Sequence, residues 1–454
     1  MTVGIGKICF GFVVAAQVVS CSDSSDSGPS GAAGASSGTG GSGGEAGAAA
    51  TATLERSDQP RDESPDVSSA DYAAFISNTN QFGLDVFGEL TDDEANAVFS
   101  PVSTAVALGM AYAGARGETA TQMATVLHND LPDDTFHASM NQLALDLDAR
   151  NIAPHETMEG TKSVRLSLVN SSWAQKDYPL LTPFLDILAT QYDAGMHLAD
   201  FINDPDGSRQ LINQWVAAET EDRIQDLIPP NGITYLTRLV LTNALHFYGT
   251  WATPFNAEYT SSGTFHTLAG SDVTADFMIG TGYYPYAEGT GYQIVDLPYD
   301  GGDLSMSVVL PEAGRFGEIR AALSSDWLEQ ARAAISTEQE VRVSLPKFSY
   351  TWGTESLKPA LESLGMTDAF VYPTADFSGM ESTRELYISE VFHQAFVAVD
   401  EDGTEAAAAT AVVMTAGAIP DPPVPFDVDR PFLFLIGDAT GAILFVGQVL
   451  DPTA

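Results

Sequence analysis

Apolar positions at Tyr72, Phe75, Ile76, Phe82, Val86, Phe87 and Leu90 suit one face of an amphipathic helix over 71–90. A second helix is predicted after Ser100 and Pro101, because Ser caps a first turn and Pro tolerates it; the small apolar residues that follow predict burial. Glu118 and Thr119 open a third helix. Residues 166–173 alternate and read as a strand. The run 236–247 is apolar and rich in β-formers, long enough for a central strand buried on both faces. Stretches 293–299 and 304–311 read as a strand pair joined by Asp300-Gly301-Gly302-Asp303, and the apolar run 431–436 as a buried strand.

Between strand-like residues ending near Asp400 and the run at 431 lies a long connection, 401–430, with four prolines. Connections of that length inside a compact domain are functional or disordered. If extended, it would point Thr404, Ala406, Ala408, Thr410, Val412 and Met414 to one face and Glu405, Ala407, Ala409 and Ala411 to the other. The first set is small or apolar with two hydroxyls, so it would enter a sheet without stranding a charge, leaving Glu405 in solvent on the outer face. On composition alone the alanine run is equally a helix former or a linker.

Residues 1–20 carry Lys7 and an apolar run too short for a stable membrane span, which fits a signal peptide. Val18-Val19-Ser20-Cys21 resembles a bacterial lipobox, with Cys21 as the lipidated residue; an ordinary signal peptide with an incidental Cys is the alternative. Residues 21–66 are mostly Gly, Ser, Ala, Asp and Pro and read as a disordered tether. The expected location is lipid-anchored at the cell envelope, on the outer membrane or cell surface, or extracellular.

Charge narrows the partners. With 19 basic and 61 acidic residues the net charge is −42, which argues against nucleic acid. The two cysteines, Cys9 and Cys21, both precede the folding part, which then has neither a disulfide nor a thiol nucleophile. No Ser-His-Asp elbow, HExxH or CxxC is visible, so no catalytic residue, metal or cofactor is expected.

The run 399–410, VDEDGTEAAAAT, resembles the hinge of the reactive-centre loop of an inhibitory serpin. The likeness extends to Asn96, Phe99, Ser100, Pro101 and Ser103 (the NxxFSPxS pattern), to 114–123, to 212–216 and 220–224 as a helix over the main sheet, to Trp251 at its top, to 341–348 as a strand ending in Pro346-Lys347-Phe348, and to 429–434 and 444–447 as the closing strands. It covers about residues 70–454. It implies an α+β fold for a domain over 67–454, with three β-sheets, about eight to nine helices and an exposed loop. It further implies a polar cluster of Ser100, Ser103, Asn243 and His393 where the main sheet opens, and a Lys347–Glu401 ion pair steadying the hinge of Gly403, Thr404, Glu405, Ala406, Ala407, Ala408, Ala409 and Thr410. The family's spacing from Gly403 puts the scissile bond at Gly417–Ala418, with Ala416, Thr415 and Met414 as alternatives under a register shift.

The activity so implied is that of a suicide inhibitor of serine proteases, working as a monomer through a covalent complex with its target. The small apolar residues around Gly417 point to elastase-like or subtilisin-like targets, with papain-like cysteine proteases as an alternative. A non-inhibitory carrier or surface-binding protein on the same scaffold is the competing reading. Residues 132–150, basic in family members that bind heparin, are acidic with one Arg, so no heparin-type cofactor is expected.

Overall fold

A computed structural model describes residues 51–92, 94–335, 338–404 and 422–454. The signal segment, Cys21, the tether up to residue 50 and the loop residues Glu405 to Thr410 and Met414 to Ala418 lie outside the described residues.

Two hydrogen-bonded strand networks carry the chain. The first runs in the order Thr53–Glu55, Met196–Ala199, Gly160–Gln175, Leu239–Thr250, Gly403–Thr404, Ile388–Val399 and Phe348–Ser356, with Ile152–Thr157 as a hairpin on the third of these. Its central strand, Leu239–Thr250, is buried at all but one position, as its unbroken apolar run predicts. The second network joins the other two expected sheets into one, because the 18-residue strand Asp272–Gly289 pairs with Glu338–Pro346 over its first part and with Tyr292–Pro298 over its last. The stretch 341–348 is not one strand. It breaks at Lys347, where the chain passes from the second network to the first, and this puts the Lys347 side chain at a corner of both.

The helices follow their capping signals. Ser68 accepts from the Asp71 N–H at the start of Ser69–Leu90, and Ser100 accepts from the Ser103 N–H before Pro101–Tyr112, which is buried almost all round. Asp204 caps Pro205–Glu219, which lies on the opposite face of the first sheet. There Ile212 and Val216 pack with Val240, Ala244 and Phe392 in a core separate from the main one. The likeness of 220–224 to a continuation of this helix does not hold: Thr220 ends it, and Glu221 and Asp222 turn out with positive φ of 51° and 62°.

Residues 51–66 also depart from expectation. They belong to the fold and not to the tether. Thr53–Glu55 pairs with Met196–Leu198, Arg61 Nε donates to Asn141 Oδ1 at 2.7 Å, and the Asp62 N–H donates to the Thr190 carbonyl at 2.9 Å. The segment lacks apolar bulk, but an open sheet edge offers backbone donors and acceptors that any sequence can satisfy. A Cβ at Gly195 would sit 2.5 Å from the Glu55 carbonyl oxygen, so glycine there admits the added strand.

A chain beginning at Ser57 loses this strand and the Arg56–Asp193 pair. Its urea midpoint is expected to correspond to about 1–3 kcal/mol less stability than a chain beginning at Thr51; coincident midpoints would show that the strand contributes nothing.

Candidate functional site

Leu239–Thr250 and Ile388–Val399 are parallel neighbours, paired directly from Leu239–Ile388 up to Leu245–Ala395. Above that level they part, and Gly403–Thr404 enters between them. Thr404 pairs with Gly249 on one side and Val399 on the other, and Gly403 pairs with Thr250. The first two hinge residues are therefore already a strand of the sheet. A Cβ on Gly403 would lie 2.0 Å from the Gly249 carbonyl oxygen, so only glycine fits the approach. Thr404 is 2% exposed, and its hydroxyl meets the hydroxyl of buried Tyr299 at 2.7 Å.

The approach to this wedge is pinned from several sides. The N–H groups of Trp251 and Phe255 donate to the carbonyls of Asp402 and Glu401 at 2.8 Å, and Trp251 Nε1 donates to the Asp400 carbonyl at 3.0 Å. Tyr299 stacks on Trp251 with ring centres 4.6 Å apart, which joins the wedge to the core beneath it. Asp400 Oδ1 accepts from the Asp402 and Gly403 N–H groups, closing a turn, while burial raises the carboxyl above its ordinary pKa. Glu401 Oε2 sits 2.7 Å from Lys347 Nζ and Oε1 accepts from the Thr260 hydroxyl. Burial alone would raise the Glu401 carboxyl, but these two partners outweigh it and hold the group below its usual range.

Where direct pairing of the two strands is complete, polar groups replace apolar ones beneath the sheet. His393 and Asn243 face each other in register, and both are fully buried. The Ser100 N–H donates to His393 Nε2 at 3.4 Å, so Nδ1 carries the proton and donates to Asn243 Oδ1. Asn243 Nδ2 donates to the Phe392 carbonyl at 3.0 Å, which fixes the amide orientation, and Thr104 adds a hydroxyl 3.3 Å from Oδ1. Burial drives the His393 imidazole down to about 3, so it is neutral at physiological pH and holds the strands as a hydrogen-bonding group.

Of the four residues expected in this cluster, Ser100, Asn243 and His393 meet directly, and Ser103 joins through its N–H, which donates to Ser100 Oγ at 3.3 Å. The Ser103 hydroxyl reaches one strand outward, donating to Asn170 Oδ1 at 2.9 Å, with Asn170 opposite Asn243 in the ladder. Lys347, Glu401 and Trp251 stand together at the top of the sheet. Thr104, Asn170, Thr260, Tyr299 and Asp400 belong to the site and were not singled out from the sequence. Asp400 followed three residues later by Gly403 is a turn signature and was legible. The others act through contacts distant in sequence, for which a single chain carries no local signal.

The neutral burial of His393 has a signed consequence. Its folded pKa lies below the ordinary value near 6.5, so the unfolded chain takes the proton first. Its contribution is full above that value and is lost as pH falls toward 3, at about 1.4 kcal/mol per pH unit. The slope of unfolding free energy between pH 6 and 4.5 should be shallower by about that amount in His393→Gln. His137, lowered to about 4 by burial, keeps its own share in both chains, so equal slopes would mean that His393 is not buried neutral.

A family model described as Serpin (serine protease inhibitor) matches residues 77–452. An uncharacterized serpin-like protein of Thermococcus kodakarensis is 38% identical over 380 residues, 83% of this chain and 85% of that one. The leukocyte elastase inhibitor of Xenopus tropicalis is 33% identical over 385 residues, 82% of this chain and 97% of that one. Among solved structures, the thermophilic serpin tengpin in its native state superposes with a TM-score of 0.75 at 31% identity, covering 87% of this chain and 97% of its own. The wedged hinge, the polar cluster beneath it and these likenesses, which span most of the described chain, identify the protein as a member of the serpin family of serine protease inhibitors.

Proposed function

We propose that this chain inhibits serine endopeptidases as a suicide substrate, by cleavage of its loop and insertion of the loop into the first sheet. The pairing of Thr404 with both Gly249 and Val399 carries this reading, because it is the start of the strand that insertion would complete. Continued down Leu239–Thr250, the same antiparallel register sets Ala406, Ala408, Thr410, Val412 and Met414 opposite Phe247, Leu245, Asn243, Leu241 and Leu239. These share the inward face of Thr404. The Thr410 hydroxyl would arrive beside the Asn243–His393 cluster, the one polar level of that track.

On the outward face Ala407, Ala409 and Ala411 would stand opposite His246, Ala244 and Thr242. That side is covered lower down by the helix Pro205–Glu219, with Val240 and Ala244 in its core. Small residues are therefore required on both faces of the incoming strand, and the alanine run supplies them.

The chemistry belongs to the target. Its serine Oγ attacks the carbonyl carbon of the scissile residue, read as Gly417. The hydroxyl proton passes to the protease's own base and then to the amine of Ala418 as the C–N bond breaks, leaving an ester. Insertion of the freed strand before water cleaves that ester would leave the protease trapped. The uncleaved chain is then a metastable state held by a barrier. Small apolar residues around Gly417 favour elastase-like or subtilisin-like targets, a direction also given by the name of the Xenopus relative. Lipid on Cys21, with the segment that follows it, would hold the inhibitor at the cell envelope.

Incubation with elastase-like and subtilisin-like proteases is expected to give an adduct stable to denaturing electrophoresis and a released peptide beginning at Ala418. Ala408→Arg would put an unpaired guanidinium opposite Leu245 on the inward face once the strand enters, at a cost of several kcal/mol to insertion. Adduct yield should fall at least tenfold while loop cleavage continues. Cleavage without adduct in the parent chain against every protease would overturn the inhibitory reading.

A further inference from the structure

The strand Gly160–Gln175 is fully paired along one edge and only partly along the other. On one side it meets Leu239–Thr250 from Val164 to Ala174. On the other, Ile152–Thr157 pairs with it no lower than Val164, and Met196–Ala199 no higher than Ser172. Alternate residues aim their backbone groups at opposite edges: the Gln175 N–H donates to the carbonyl of Arg238, just before Leu239, and the Lys176 N–H donates to the Ala199 carbonyl. Even-numbered residues therefore face the interrupted edge. There the side-chain amide of Asn151 accepts from the Leu166 N–H at 2.7 Å and donates to the Leu166 carbonyl at 3.4 Å. The N–H and C=O groups of Leu168 and Asn170, next along the same edge, have no partner among the described residues.

This edge borders a cavity of about 1400 Å³. Val106, Met110, Met140, Ala144 and Leu147 wall it on the inward side, and His197 and Trp215 on the outward side. Asn170 and Gln191 also line it, and Nδ2 of the first and Oε1 of the second are buried without a hydrogen-bond partner. A donor and an acceptor left open beside apolar walls match a peptide, which carries both groups and an apolar side chain. The chain's own residues 22–50 have no apolar side chain larger than Ala and Pro, and so do not fill such walls.

We propose that this edge is a docking groove for an extended peptide segment of a partner protein, which adds to the first sheet as a further strand. An open edge is a template for such pairing, and main-chain hydrogen bonds supply the affinity. The Asn151 amide already bonds to Leu166 as a peptide group of the added strand does, and Leu168 and Asn170 are the next two positions. From Leu166 to Ser172 the edge is about 20 Å long at ~3.3 Å per residue, room for about five residues. Side chains opposite Leu168 and Asn170 both face inward. The first meets the wall of Val106, Met110 and Met140 and is apolar; the second accepts from Asn170 Nδ2. The segment recognised thus pairs an apolar residue with a hydrogen-bond acceptor two positions away. The groove lies on the opposite edge of Gly160–Gln175 from Leu239–Thr250, so it is separate from the slot at the hinge and independent of the inhibitory reading.

The probe is a fluorescently labelled, C-terminally amidated heptapeptide of sequence TNTLTNT, which reads the same in both directions and so serves a parallel or an antiparallel strand. The full chain should bind it saturably, as read by fluorescence anisotropy, and should bind TNTETNT at least tenfold more weakly. Hydrogen exchange at Leu168 and Asn170 should slow when the probe is bound. Leu168→Pro removes an N–H that faces the cavity and spares those bonded to Leu239–Thr250, and should weaken binding about tenfold. Ala144→Trp, which fills the inward wall with a side chain of the protein's own, is the second variant should the first fail to fold, and should weaken binding to the same degree. Absence of saturable binding by the parent chain, parent-like affinity in a folded variant, or unchanged exchange at Leu168 and Asn170 would each overturn the assignment. Faster exchange at 22–50 on adding the probe would make those residues the native occupant and overturn the assignment to a partner.

Discussion

The structure turns on a backbone ladder that is complete at the bottom and unfinished at the top. Leu239–Thr250 and Ile388–Val399 exchange parallel hydrogen bonds up to Leu245 and Ala395, and above that the two residues Gly403 and Thr404 stand between them. Parallel pairing is slightly weaker per residue than antiparallel pairing, and an inserted strand continuing Gly403–Thr404 would replace one parallel ladder by two antiparallel ones. The described pairing thus holds both a reason for the sheet to open and the seed from which it would fill. The absence of a Cβ on Gly403 and the near-complete burial of Thr404 make the seed specific to these two residues.

What would resist the proposed opening is a small number of directional polar contacts set in an apolar core. His393, Asn243 and the Ser100 N–H link both strands to the helix Pro101–Tyr112 behind them, and they do so without charge, because burial keeps the imidazole neutral. A buried hydrogen bond is worth about 0.5–1.5 kcal/mol net, but leaving its partner unsatisfied costs more. Such a cluster holds one register firmly, and under the proposed insertion a hydroxyl arriving at the same level would be able to replace it. At the top, the Lys347–Glu401 pair is partly exposed and of the order of 1 kcal/mol or less, so it orients the hinge and adds little to the barrier.

The two faces of the first sheet set different demands on anything that enters it. The inward face is lined by Phe247, Leu245 and Leu241 of the main core, and the outward face by Val240 and Ala244 beneath Pro205–Glu219. Packing at interior density tolerates no bulk on either side. Residues 405–413 are small apart from Glu405, a composition that the proposed insertion would require of both faces of the entering strand.

Much of the fold was legible in the chain. Helix starts at Ser68 and Ser100 and the buried run of Leu239–Thr250 follow from local chemistry: a hydroxyl beside free N–H groups, or an apolar run with no polar face. The likeness of 399–410 and 96–103 to a known family was legible for the same reason, since short runs of sequence carry it. Tertiary structure alone decided the rest. It broke 341–348 at Lys347, because a strand's membership of a sheet depends on its neighbours. It recruited Thr53–Glu55 from a stretch that reads as tether, because a sheet edge binds backbone and is indifferent to side chains. It sent Ser103 to Asn170 and brought Thr260 and Tyr299 to the hinge, contacts that exist only once strands distant in sequence are in register. Local propensity and burial are properties of the sequence; register, and the gap left where register runs out, are properties of the assembled sheet.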